Sequence, residues 1–89
     1  MNHLNNIATN LHNIIDVLGA EMPRISIEDN TLWVDFSDGR GFAAGLIAGH
    51  NGHNLFSIHA YEGSVAQRLP KTYRADEVAA AIVRCIIVP

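Results

Sequence analysis

Apolar residues near the start of the chain recur at steps of three and four: Leu4, Ile7, Ala8, Leu11, Ile14, Ile15 and Leu18. That spacing lays a single apolar stripe along a helix. Its other faces carry Asn5, Asn6, Asn10 and Asn13, which are poor helix formers. The helix therefore depends on packing more than on propensity. Gly19 is a natural stop, with Pro23 shortly beyond.

From Arg24 the period changes to two. Ile25 and Ile27 alternate with Ser26 and Glu28, and Asp29-Asn30 can turn the chain. Leu32, Val34 and Phe36 then alternate with Trp33 and Asp35. Asp38-Gly39 and Asn51-Gly52 are hairpin signals, because type I′ turns need positive φ at both positions. They bound a third strand over 42–50 and a fourth over 53–61.

Two-residue turns fix register. The first turn sets Ile27 opposite Leu32 and Ile25 opposite Val34. Asp38-Gly39, read the same way, sets Val34 opposite Ala43 and Leu32 opposite Gly45. Asn51-Gly52 sets His50 opposite His53, Ile47 opposite Phe56 and Ala43 opposite Ala60. One face then collects Ile25, Ile27, Leu32, Val34, Phe36, Ala43, Gly45, Ile47, Phe56, Ile58 and Ala60, with no charge among them. On this reading the small residues Gly41, Ala43 and Gly45 form a track where a helix can sit close.

The segment 62–74 contains Pro70, which argues against a central strand and leaves room for a short edge segment near Val65–Leu69. "ADEVAAAIVRCIIVP" reads as a closing helix. Asp76 and Glu77 lie in its first turn, where the dipole favours anions. Val78, Ala81, Ile82, Cys85 and Ile86 make its stripe, which places Cys85 in the core. The predicted fold is α+β, a four-stranded antiparallel meander with N- and C-terminal helices on one face (α-β-β-β-β-α).

The opposite face is expected to hold Trp33, Asp35, Phe42, Leu46, Leu55, His59 and Tyr61. Trp33, Ala44 and His59 share one row on this register; Asp35, Phe42 and Tyr61 share the next. A solvated face should be polar. Aromatic residues rimmed by Asp, Ser and His have the composition of a protein-binding surface. These seven residues are the candidate partner-binding site. The same patch could instead be covered by the chain's own 62–74 segment, or pair with itself in a homodimer.

Composition narrows the function. The 89 residues suit one domain, 1–89, and 48% apolar with 17% charged residues is a globular balance. A net charge of −3 argues against direct nucleic-acid binding, which runs on Lys and Arg; Arg68, Lys71 and Arg74 make only a small basic spot. A lone Cys85 excludes an intramolecular disulfide and fits a reducing compartment. No leader pattern and no long apolar run are visible, so the expected location is cytoplasmic, with no membrane partner.

Candidate chemistry is sparse. His50 and His53 flank a turn on one face, while His59 lies six residues on, about 20 Å along the strand. No tetrahedral metal site assembles within one chain, though one shared between two copies stays open. His3 and His12 fall on the first helix, on the other side of the sheet. Asp35 and His59 are near enough in row to suggest an acid–base pair. "DGRGFAAG" is a hairpin and lacks the strand-to-helix context of a phosphate loop. The expectation is a non-enzymatic protein with no cofactor, no metal and no catalytic residue. A histidine-dependent enzyme or metal protein is the lesser alternative.

In size and layout the chain resembles the small proteins of phages and mobile elements, with its short acidic sequence, hairpin sheet and closing "ADEVAAAI" helix. Anti-CRISPR inhibitors are the best-known group among them. The resemblance implies a protein that binds a host CRISPR effector and blocks DNA binding or nuclease recruitment. It covers layout only and carries no functional residue onto this chain.

Overall fold

The fold was obtained as a computed structural model, which describes residues 3–50 and 53–87, with side chains over 3–47 and 54–86. The Asn51-Gly52 turn and the side chains of His50 and His53 lie outside the described residues. The element order is α1 (His3–Leu18), β1 (Arg24–Glu28), β2 (Thr31–Asp35), β3 (Arg40–His50), β4 (His53–Glu62), β5 (Val65–Arg68), β6 (Tyr73–Arg74) and α2 (Ala75–Ile87). The fold is α+β, as predicted. The antiparallel sheet runs β1-β2-β3-β4-β5, with β6 also pairing to β4.

The two extra strands come from the segment around Pro70. Residues 59–62 of β4 pair with β5 and residues 55–56 pair with β6. Between them the Leu69 N–H donates to the Ile58 carbonyl at 2.8 Å. Pro70 follows that last donor, where its missing N–H interrupts no ladder.

α1 buries Leu4, Ile7, Leu11 and Ile15, and α2 buries Val78, Ala79, Ala81, Ile82 and Val83. Both pack over Leu32, Val34, Phe42, Ala44, Phe56 and Ile58 of the sheet in one cluster. Gly19, at φ 70°, ends α1 and donates to the Asp16 carbonyl at 3.2 Å. At the start of α2 the Glu77 carboxylate accepts from the Arg74 N–H at 2.9 Å, the reciprocal half of a capping box. Cys85 is exposed, which corrects its expected core position. The buried stripe of α2 runs through Val78, Ala79, Ile82 and Val83, and Cys85 falls beside it. Among the described residues no helix is long and apolar enough to cross a membrane.

The β1–β2 register is as predicted, with Ile25 opposite Val34 and Ile27 opposite Leu32. Asp29 and Asn30 have φ of 52° and 59°, the positive pair of a type I′ turn. The next hairpin differs by one residue. Val34 lies opposite Phe42 and Leu32 opposite Ala44. Its loop is three residues long, because Phe36 N–H donates to the Arg40 carbonyl at 2.9 Å and Gly39 adopts φ 89°. Asp-Gly serves this bulged loop as well as the two-residue turn. Asp38 holds it closed: it accepts the Arg40 N–H at 3.1 Å and the Arg40 Nε at 2.8 Å.

The β3–β4 hairpin differs by one residue as well. His50 lies opposite His53, as the turn predicts, but the register then shifts. Ala48 and Gly49 of β3 oppose Asn54 alone, a β-bulge. Beyond it Leu46 lies opposite Phe56 and Phe42 opposite Ala60. A slip of one residue turns a strand over. β3 therefore sends Phe42, Ala44 and Leu46 toward the helices, and Gly41, Ala43, Gly45 and Ile47 to the open side. The bulkier set goes where the helices can cover it. Burying a phenylalanine stabilises by about 2–3 kcal/mol, and a glycine offers no such gain.

Candidate partner-binding face

Because β3 slips by one against both neighbours, β2 and β4 keep the relation that the sequence implied. Trp33 and His59 still share a row, now through Ala43. Asp35 and Tyr61 share the next, through Gly41. Ser26 and Arg68 extend the first row at its two ends, and Arg24 and Ala66 extend the second. All these side chains stand on the side of the sheet away from the helices.

Five of the seven predicted site residues are on this face: Trp33, Asp35, Leu55, His59 and Tyr61. Two are not. Phe42 is 8% exposed, with its ring in the core, an edge-on 6.4 Å from Phe36. Leu46 is on the helix side, near the end of the layer, where it remains 50% exposed. The turn-derived register misplaced both for the reason given above. Ala43, Gly45 and Ile47, expected beneath the helices, belong to the open face instead.

The exchange reshapes the patch. From Gly41 to Gly45 the middle strand contributes almost no side-chain bulk, so that stretch forms a trough between β2 and β4. Neighbouring strands are about 4.8 Å apart, which separates β2 from β4 by roughly twice that distance. Trp33 and Tyr61 nevertheless lean together over the trough, with ring centroids 6.3 Å apart at 55°. A tilted pair of this kind stabilises by about 0.5–1.5 kcal/mol beyond its buried area. It needs Gly41. A Cβ there would overlap the Tyr61 ring and stand 2.5 Å from the Val34 carbonyl oxygen.

The Tyr61 hydroxyl donates to the Asp35 carboxylate and lies 3.5 Å from the Val34 carbonyl. Partial burial raises the phenol's pKa above its ordinary value, and the Asp35 carboxylate adds to the rise through its hydrogen bond and its charge. Tyr61 is thus a neutral donor whose ring is fixed at one end by Asp35 and along its face by Gly41. Asp35 is committed to Tyr61. His59 stands one row away, exposed and opposite Arg68. The arrangement orients an aromatic surface and assembles no acid–base pair from Asp35 and His59.

The basic spot is divided in the same way. Arg68 is on β5 beside His59, while Arg74 is on β6 opposite Leu55 and 3.6 Å from Asp76. Among the described residues no three His, Cys, Asp or Glu side chains converge as metal ligands.

The structure adds a cleft that periodicity did not indicate. It lies between the last turn of α2 and the end of the sheet, with a volume of about 280 Å3. Phe36, Phe42 and Ala60 give it an apolar floor, and Arg40, Gln67 and Cys85 line its rim. The signal for it was present in part: Phe36 is the last apolar residue before the Asp38 loop, and Cys85 lies in the last turn of the second helix.

No family model matches the chain, and no match was found among curated proteins or solved structures.

Proposed function

We propose that the protein is a non-enzymatic binding module that acts in the cytoplasm by occupying a surface on a larger protein. The observation that carries this reading is the Trp33–Tyr61 pair, held over a trough of small residues on the sheet face opposite α1 and α2. Trp and Tyr are the residues most often found at the energetic centre of interfaces. Here they are fixed before any partner arrives, which reduces the ordering cost of association. Asp35, Ser57 and His59 supply a polar surround of the kind that excludes water from such a centre. Arg68 stands beside them at the sheet's edge.

The resemblance in layout supports one specific version: a phage-encoded anti-CRISPR inhibitor whose partner is a host CRISPR effector complex. An interference assay with the protein co-expressed tests it. Wild type should protect the targeted DNA. Trp33→Ala should abolish protection, with binding to the purified effector weakened by ~2 kcal/mol or more. The same substitution should leave the protein folded, its stability lowered by about 1 kcal/mol for the ring pair plus the buried part of the half-exposed indole. Absence of protection by the wild-type protein would remove the CRISPR version. Unfolding of both Trp33→Ala and Tyr61→Ala would make the patch a stability device.

A further inference from the structure

We propose that β1 is a self-association edge, where a second copy of this chain adds its own β1 antiparallel and extends the sheet. The inference uses the strand edge and is independent of the open-face reading.

Among the described residues β1 is the terminal strand of the sheet, and only β2 pairs with it. Its sequence is Arg-Ile-Ser-Ile-Glu. The strand is short and is preceded by Pro23, but it contains no lysine, proline or bulge, and its two charges, Arg24 and Glu28, are of opposite sign. The opposite edge is blunted. β5 has four residues, Val65–Arg68, and after Leu69 come Pro70 and Lys71.

The charges of β1 are complementary to themselves. In an antiparallel pair centred on Ser26, Arg24 falls opposite the partner's Glu28, and Glu28 opposite the partner's Arg24. Ile25 and Ile27 then face the partner's Ile27 and Ile25 on the helix side. Opposite charges and β-branched pairs are the favourable cross-strand combinations. Moving the centre by one residue either way separates the charges and sets Ile25 or Ile27 against its own copy.

Hydrogen bonding is compatible with the register that the charges select. Glu28 and Thr31 flank the two-residue turn, so they form a bonded pair, and Arg24, Ser26 and Glu28 direct their backbone groups to β2. Ile25 and Ile27 direct theirs to the free edge. Centred on Ser26, Ile25 meets the partner's Ile27 as a bonded pair, twice by symmetry. The side chains agree as well. Ile25 and Ile27 are only half-buried, although they pack on the core cluster. An open hollow of about 300 Å3, lined by Ala8, Thr9, His12 and Ile25, lies between α1 and β1. The partner's Ile27 would come to rest beside it.

Sedimentation of the full chain tests this. At about 100 μM, wild type should sediment as a dimer of the 9.7 kDa chain. Glu28→Arg and Arg24→Glu, both at exposed positions, should each weaken association roughly tenfold or more at low salt. An equimolar mixture of the two variants should dimerise again, because each supplies the charge the other lacks. Trp33→Ala should leave the dimer intact. Should Arg24→Glu lose its fold beside Asp35, Glu28→Arg alone decides. A monomeric wild type at this concentration overturns the proposal. So does a Glu28→Arg variant that dimerises as tightly as wild type, or a mixture of folded variants that stays monomeric.

Discussion

The two faces of this sheet are made by the same strands, one residue apart, and they do opposite work. On the helix side Leu32, Val34, Ala44 and Ile58 are fully buried, and no polar side chain is buried among the described residues. On the open side the middle strand presents Gly41, Ala43 and Gly45, and the two large rings come from the flanking strands. The first face gets its stability from bulk at the centre. The second makes a trough by leaving bulk out of the centre, which lets Trp33 and Tyr61 meet across a strand. An apolar residue on β3 is therefore no guide to function until its side is known.

The comparison breaks most sharply at the core. Ile58→Ala should destabilise the fold by about 2–5 kcal/mol, read as a lower urea midpoint at unchanged slope. A loss below about 1 kcal/mol would contradict its place beneath the helices. Next comes the trough. Gly41→Ala should lose about 1–3 kcal/mol, because the added methyl meets the Tyr61 ring and the fixed Val34 carbonyl. It should also disturb Trp33 fluorescence, a readout that a purely conformational glycine effect would leave alone.

A smaller effect is expected from Tyr61→Phe, which removes the donor to Asp35 and keeps the ring. The loss at neutral pH should be about 1 kcal/mol or less, since Asp35 is exposed. The folded-state phenol pKa is raised, so its contribution is complete below the unfolded value near ~10 and is lost as pH rises through the folded value. The stability gap between wild type and Tyr61→Phe should therefore close in strong alkali. A constant gap from neutral pH upward would refute the Asp35 bond as its source. The smallest change should be a gain. Asn30→Gly relieves a left-handed backbone at φ 59° and should stabilise by a few tenths of a kcal/mol up to ~1. A loss of stability would mean that the Asn30 side chain contributes more than its backbone strain costs.

The periodic parts of the fold were legible in the residues. The stripe from Leu4 to Leu18 encodes α1, and the change to period two at Arg24 encodes the sheet. The Asp29-Asn30 register came out correctly because neither residue leaves an alternative loop length. Asp38-Gly39 does leave one, and "GFAAGLIAG" has apolar residues at both parities, so neither the turn nor the pattern could say which side faces the helices. Trp33, Asp35, Leu55, His59 and Tyr61 were placed on the open face even so, since the slips on either side of β3 cancel between β2 and β4. Phe42 and Leu46 sit on β3 itself, where nothing cancels. The short pairings of β5 and β6 were faint because their residues are mostly exposed and carry no alternation.

What the sequence determined alone is local: which segments form helices and hairpins, and which residues of β2 and β4 share a row. Those follow from periodicity and from the backbone angles that turn residues can adopt. What the tertiary structure decided is the side on which β3 places its bulk. A strand apolar on both faces is indifferent to a slip of one residue until helices cover one side. Burying the Phe42 ring, and leaving Gly41 beneath Tyr61, then settles the choice.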